Sequence, residues 1–451
     1  MTSDIHAKLL NQCLLLAESA RKFTSPNPRV GCVIADQQTG LASHGHTQPH
    51  GHAHAEVMAL RDAAAKGISV KGATVYVTLE PCSHYGQTPP CCLALIEAGI
   101  GKVVVAVLDP NPLVAGRGVQ MLRDAGVVVE VLPADCAEAV AAREVNIGFF
   151  SRMVRKTPWV RMKVAASLDG QTALASGASQ WITGPAARTD GHAWRAQACA
   201  VLTGIGTVLQ DNPLLDVRHV PAPRQPHLVI VDSQLETPLN AKLWGTLGKR
   251  AVRGEDFGLS QDAIDSIPDR AVFIYAAVPN DAKKLALEAL GATVIYMPEM
   301  AVQATSANSL LAETIPASDR TANRSQTANL KSPPHPAHPN HQATASNPAA
   351  STATKSPKVD LRAMMLDLGQ REINELHVEA GFKLNGSLLS AGLVDELLLY
   401  TAPKLLGPGM GIANMAPLAQ LHDALQLDFR SAELVGDDLR TVLRVRGHDK
   451  F

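Results

Sequence analysis

Hydrophobic and polar positions switch between helical and strand periods along most of the chain. Ile5, Leu9, Leu10, Leu14 and Ala17 fall on one face at helical spacing and predict an amphipathic helix. VGCVIA (30–35) is a continuous apolar run and predicts a buried strand. HAEVMALRDAAAKG (54–67) predicts a helix closed by Gly67, and CLALIEAG (92–99) a short helix closed by Gly99. ATVYVTL (73–79), KVVVAVLD (102–109) and VVVEVL (127–132) predict strands, with the helix VQMLRDAG (119–126) between the last two. This alternation is that of an α/β layered domain with crossover connections.

A second α/β block begins near Trp159. WVRMKVAAS, ACAVLTGIG, LVIVDS, AVFIYAA and ATVIYMP predict strands. LHVEAG (376–381) runs into a Gly-punctuated helix, KLNGSLLSAG, and VDELLLYTAPKLLG predicts a long strand with a loop. A helical stretch with Lys156 and Pro158 marks the junction, so the expected domains are 1–155 and 156–451. Within the second, residues 301–357 are dominated by Ala, Ser, Thr, Pro and Asn and contain no aromatic residue. Such a stretch cannot bury enough apolar surface to offset chain entropy, which predicts a disordered low-complexity insertion. His335, His338 and His341 are read as part of that polar tract, not as a metal site.

Composition narrows the function classes. Among 451 residues, Lys+Arg is 41 and Asp+Glu is 42, which argues against nucleic-acid binding by bulk positive charge and leaves only a local basic groove open. With 4 Trp, 5 Tyr and 8 Phe, no base-stacking array is expected either. No run of about 18 apolar residues appears, so no membrane span is expected. The stretch MTSDIHAKLLNQ lacks a signal-peptide layout, and 7 Cys without an export signal read as reduced thiols in the cytoplasm. A homo-oligomer is the expected assembly.

The sharpest chemistry is His54-Ala55-Glu56 followed by Pro81-Cys82 and Cys91. One imidazole and two thiolates suit zinc and leave a fourth position for water. Zinc lowers the pKa of its water, and a carboxylate beside the metal can pass a proton to a departing amine. His54 and Cys91 each open a predicted helix, where the helix dipole favours a thiolate. The zinc-deaminase signature is H-x-E with P-C-x-x-C. Here eight residues, SHYGQTPP, separate Cys82 from Cys91. Spacing alone therefore leaves two readings open: a zinc deaminase, or buried thiols beside a helix-capping His.

HAEVMAL, TLEPCSHYGQTPPC, DPNPLVAGRG and SPNPRVGCVIAD resemble the deaminase half of the bifunctional deaminase–reductases of riboflavin biosynthesis, in which the long Cys–Cys spacing is normal. The resemblance implies one zinc on His54, Cys82 and Cys91, with Glu56 as proton shuttle and Cys92 as a bystander. It implies a phosphorylated pyrimidine substrate, with Asn27, His84, Asp109 and Asn111 as candidates for its pocket. His44, His46, His50 and His52 are read as solvated loop residues, with His46 the one that could face substrate. Gln87 departs from the family's usual Lys or Arg, leaving Arg29 and Arg117 as sequence neighbours that could supply a cation.

MKVAASLDGQTA, SGASQWITG, WRAQACAVLTGIGTVLQDNPLLDVR and VEAGFKLNGSLL resemble the reductase half of the same family. No G-x-G-x-x-G opens a βαβ unit here, so a plain Rossmann domain is not expected. The resemblance implies a dihydrofolate-reductase-like fold and NADPH. Cofactor contacts are then expected at Ala165, Trp181, Thr207, Asp211, Ser233, Gly381, Phe382, Lys383, Leu384, Asn385, Gly386 and Ser387. Substrate contacts are expected at Ser179, Arg195, Leu214, Arg218 and Glu379, with the two Arg on phosphate. Without the resemblance, Trp181 reads equally as a core residue and Glu379–Gly381 as a strand–turn–helix geometry. The expected fold class is α/β: an N-terminal cytidine-deaminase-like three-layer domain and a C-terminal dihydrofolate-reductase-like domain with the insertion. The implied function is zinc-dependent hydrolytic deamination of a diaminopyrimidinone ribotide, then NADPH-dependent reduction of its ribosyl chain to ribityl.

Overall fold

A computed structural model of the chain describes residues 2–36, 40, 42–86, 89–112, 114–248, 257–299 and 356–451. Gln87 and all but the last two residues of the 301–357 segment lie outside the described residues. The first half builds a sheet from β1 (Gly31–Ala35), β2 (Ala42–His46), β3 (Thr74–Val77), β4 (Lys102–Val105) and β5 (Val128–Val131). Their order is β2-β1-β3-β4-β5. β1 runs antiparallel to both neighbours, while β3, β4 and β5 are parallel. One face packs on Leu10, Cys13 and Ala142, and the other on Ala55, Ala59, Cys92 and Leu95, giving three layers.

Two local readings are corrected. Ile5 is 54% exposed, and the buried stripe of the helix Thr2–Ser19 is Leu10, Cys13 and Ala17. β2 (ASHGH) carries no apolar alternation because Ser43 and Gly45 supply its buried face. A Cβ on Gly45 would sit 2.4 Å from the Ala55 carbonyl oxygen, so only glycine lets the next helix close on this strand. That helix, Ala55–Lys66, ends as expected at Gly67 in the left-handed conformation.

The second half builds a nine-stranded sheet. Its strands are β6 (Trp159–Ser167), β8 (Ala200–Gly204), β9 (His227–Val231), β10 (Val272–Ala276), β11 (Ala292–Tyr296), β12 (Glu375–Val378), β13 (Glu396–Ala402), β15 (Leu427–Val435) and β16 (Asp438–Val445). A small separate pair joins β7 (Ala173–Leu174) to β14 (Gly409–Met410). The order is β11-β10-β9-β8-β12-β6-β13-β16-β15. All pairs from β11 to β13 are parallel, and the β13-β16-β15 edge is antiparallel. Along β6, Val160, Met162, Val164 and Ala166 enter the apolar core. The two-residue period turns Arg161, Lys163 and Ala165 to the opposite face.

The helices Ala137–Val145 and Ile147–Arg155 lead from the first sheet to the second. Gly148 lies against Asn374, where a Cβ would approach the carbonyl oxygen to 2.6 Å. Arg29 pairs with Glu375 at 2.6 Å, and Glu375 also meets Arg161 at 3.3 Å. Arg161 reaches Glu396, Arg444 joins Glu396 to Glu144, and all of these but Glu144 are buried. Burial alone would raise the Glu375 carboxyl, but Arg29 and Arg161 outweigh it and hold it at about 2.

Candidate active sites

In the first half three elements converge on one point. His54 caps the helix Ala55–Lys66, Cys91 opens the helix Cys91–Glu97, and Cys82 sits in the loop after β3. His54 Nδ1 lies 3.5 Å from Cys82 Sγ and 3.3 Å from Cys91 Sγ. All three donor atoms fall within 4.8 Å of one another. A tetrahedral zinc with ordinary bond lengths needs N···S separations of about 3.6 Å, so this donor set fits the ion. The Cys91 thiol and His54 draw the Cys82 thiol down to about 4 against its burial, while Cys91 itself is pushed up by that contact and by burial. Glu56, 3% exposed, stands beside the cluster without being one of its three donors, and burial raises its carboxyl.

A cavity of about 380 Å³ opens on this cluster. Asn27, His84, Asp109 and Asn111 all line it, as expected, and so do His50 and His52. The reading of the loop histidines is thereby corrected. His46 is not in the lining but packs on Phe23, whereas His50 meets the Asn27 side chain at 2.9 Å. Burial pushes Asp109 up to about 7. Cys92 donates to the Pro81 and Gly118 carbonyls and is a packing residue.

In the second half Arg195 and Glu379 meet as a bidentate pair, with Nε–Oε1 at 2.7 Å and Nη2–Oε2 at 2.8 Å. Arg195 also donates to the Asp216 carbonyl. Burial opposes the charge on Glu379, yet Arg195 holds its carboxyl far below the ordinary range. Arg218 is exposed and held by the Asp216 carboxylate at 2.7 Å. Lys163 Nζ lies 5.7 Å above the Tyr400 ring, and the Tyr400 hydroxyl donates to Asp190. Trp181 is 64% exposed and stacks under the Arg188 guanidinium, so it is not a core residue.

Thr207 stands in the helix Ile205–Asp211, which Asp211 ends. Its Oγ1 is 3.8 Å from where a Cβ of Gly381 would be, so Thr207 and Gly381 adjoin. Leu384 packs on Gly204 in the same corner. Gly381 caps the helix Phe382–Ser390, and no side chain caps its first turn. That exposed glycine and uncapped N-terminus fit a pyrophosphate. Deeper in the helix the residues face inward. Asn385 donates to the Ile412 carbonyl, its Oδ1 lacks a partner, and Gly386 packs against the Asn414 backbone. Lys383 is exposed, and the Ser387 hydroxyl bonds back to its carbonyl. Ser179, Leu214 and Ala165 are half-buried, and Ser233 accepts from the Val359 N–H.

Comparison with known proteins agrees with both geometries. The profile of the cytidine and deoxycytidylate deaminase zinc-binding region matches residues 3–107, and that of the RibD C-terminal domain matches 158–256 and 283–441. The riboflavin biosynthesis protein RibD of Escherichia coli is 37% identical, covering 95% of this chain and 96% of its own. The chain belongs to the RibD family. The Haemophilus influenzae RibD is 36% identical, with 97% of each chain covered. The solved structure of Acinetobacter baumannii RibD superposes with a TM-score of 0.71 at 32% identity, covering 98% of this chain and 99% of that one.

Within this RibD-family chain, several positions that build the first cavity escaped the sequence. Glu80 is buried and accepts the N–H groups of Asp109, Gly116, Gly118 and Val119, tying the cavity loop to the strand that ends at the metal ligands. Arg152 lines the cavity from the junction helix, held by the Asn374 side chain at 2.6 Å and the Pro26 carbonyl. Arg29 is spent on Glu375 and the Val145 carbonyl, and neither it nor Arg117 lines the cavity.

Proposed function

We propose that the two clusters carry two consecutive reactions of riboflavin biosynthesis within one chain, with the domain boundary near residue 156. The protein is a bifunctional enzyme, a deaminase and a reductase, using zinc and NADPH. The observation that carries the first reaction is the convergence of His54, Cys82 and Cys91 beside a buried, non-ligating Glu56. Zinc bound there supplies an activated water near neutral pH. Glu56 moves the proton, from the attacking water to the departing amine of a diaminopyrimidinone ribotide. Asn27, His84, Asp109 and Asn111 orient the ring, and Arg152 is the cation on that wall for the substrate's phosphate.

In the second site NADPH supplies hydride to the ribosyl carbon. The first-turn N–H groups after Gly381 hold its pyrophosphate, with Thr207 beside them. Ala165, Trp181, Asp211 and Ser233 complete the cofactor contacts, together with residues 382–387. Arg195, locked by Glu379, positions the ribosyl group, and Arg218 at the rim meets the phosphate, with Ser179 and Leu214 alongside. The seven unpaired thiols support a reducing, cytoplasmic setting, and a homo-oligomer is the expected assembly.

Incubation with the diaminopyrimidinone ribotide is expected to release ammonia without NADPH, and NADPH oxidation is expected to follow ammonia release. NADPH oxidation that precedes ammonia release would overturn the order.

A further inference from the structure

A second, smaller cavity of about 120 Å³ lies where the two halves meet. Ser25 enters it from the first half, and Cys199, Arg224, His227, Arg371 and Glu372 from the second. Arg224 is its unusual member. The side chain is buried at 7% exposure, yet among the described residues its one hydrogen bond runs from Nη2 to the Ala198 carbonyl, and Nε meets no partner. Among the described residues no carboxylate pairs with it. The buried Glu375 is already shared between Arg29 and Arg161. Burial lowers the Arg224 pKa, opposed by Cys199 and Glu375 and reinforced by the like charge of Arg29.

A guanidinium buried without a counter-ion is costly, and a chain keeps one most readily where an anion from outside completes it. The remaining walls point the same way. His227 accepts the Ala271 N–H at Nδ1, which leaves its proton on Nε2 as a donor. Ser25 offers a hydroxyl, in contact with the Cys199 thiol. Arg371 adds a second guanidinium, paired with Asp367 through Nε and Nη2. The one carboxylate in the lining, Glu372, is 59% exposed and lies 3.9 Å from Arg152.

We propose that this junction cavity binds an oxyanion of the phosphate class, with Arg224 as its principal ligand. Pro26 and Glu372 line both this cavity and the deaminase cavity, so the anion sits against the wall of the deaminase pocket. The same chemistry could be met by free inorganic phosphate or by the phosphate of a ribotide, and one experiment separates them.

The full-length, zinc-loaded protein is titrated with inorganic phosphate at constant ionic strength, by calorimetry and by thermal unfolding. Saturable binding with a rise in Tm is expected, with sulfate acting likewise and chloride not. Arg224→Met is expected to abolish the response, and Arg224→Lys, which keeps the charge but loses the fork, to weaken binding about tenfold or more. If the ribotide's phosphate is the natural occupant, inorganic phosphate also raises the deaminase KM competitively in the wild type but not in Arg224→Met, which separates this site from competition at Arg152. If a free anion is, the Tm rises with KM unchanged. Either result supports the site. The absence of saturable binding to the wild-type protein overturns it, and that arm does not depend on any variant folding. Equal affinity in wild type, Arg224→Met and Arg224→Lys would show an adventitious ion only.

Discussion

Replacing Glu375 by Gln removes one charge from the buried network that ties the halves together. The native carboxylate faces Arg29 at 2.6 Å and Arg161 at 3.3 Å, and it is 2% exposed. Two routes give the cost. The carboxyl falls from an ordinary 4.5 to about 2 in the folded chain, worth about 3 kcal/mol at pH 7. Independently, breaking one partner out of a buried ion pair costs about 3–5 kcal/mol. Because the folded pKa is depressed, this stabilisation is complete above 4.5 and is lost as pH falls through about 2. At pH 3 about 1 kcal/mol remains. The assay is urea unfolding of wild type and Glu375→Gln, followed by tryptophan fluorescence, since Trp159 shares β6 with Arg161. The gap between the two proteins is expected to shrink by more than half from pH 7 to pH 3. Hydrogen exchange is expected to rise on both sides of the junction, at 26–32 and at 159–167. A gap of the same size at both pH values would refute the reasoning, as would faster exchange on one side alone.

Other consequences are equally open to measurement. Glu56→Gln is expected to lower deamination by about 10²–10⁴-fold while retaining zinc by metal analysis, and loss of zinc would remove Glu56 from the shuttle role. Arg195→Ala breaks the pair with Glu379 and should cut reductase kcat/KM at least about tenfold with deamination largely intact. Equal damage to both activities would count against two separate sites. Asp109 is a buried carboxyl raised to about 7, so its burial penalises the folded state increasingly as pH climbs from 3.8 to about 7. Asp109→Asn should therefore be more stable than wild type at pH 8, by up to about 4 kcal/mol, and no more stable at pH 4. A pH-independent difference would sink that account.

What the sequence disclosed follows from the chemistry of each position. His54, Glu56, Cys82 and Cys91 stood out as an imidazole, two thiols and an adjacent carboxylate, but their spacing left two readings open and the family resemblance decided between them. The strands were legible where one face is aliphatic, as in β1, β4 and β6. β2 was not, because its buried face is Ser43 and Gly45, neither of them apolar in pattern, and the helix backbone lies within contact distance of Gly45. Glu80 looks like any loop carboxylate until the four N–H groups it accepts, 29–39 residues away, are seen. Arg152 acquires its place from Asn374, 222 residues downstream, and no local pattern encodes that contact. Arg195 and Glu379 were named separately, but their bidentate pairing joins a helix residue to the end of the central strand β12, 184 residues on, and no local pattern encodes it.

One order of events links the two sites: zinc chemistry in the first half makes the substrate that the second half reduces. Oxidation of NADPH, started with the diaminopyrimidinone ribotide, tests this before and after zinc is stripped from the protein. Stripping is expected to stop NADPH oxidation from the diamino compound, to leave oxidation from the deaminated compound intact, and to be reversed by added zinc. NADPH oxidation that persists from the diamino compound without zinc, or that fails from the deaminated compound with it, would contradict the assignment.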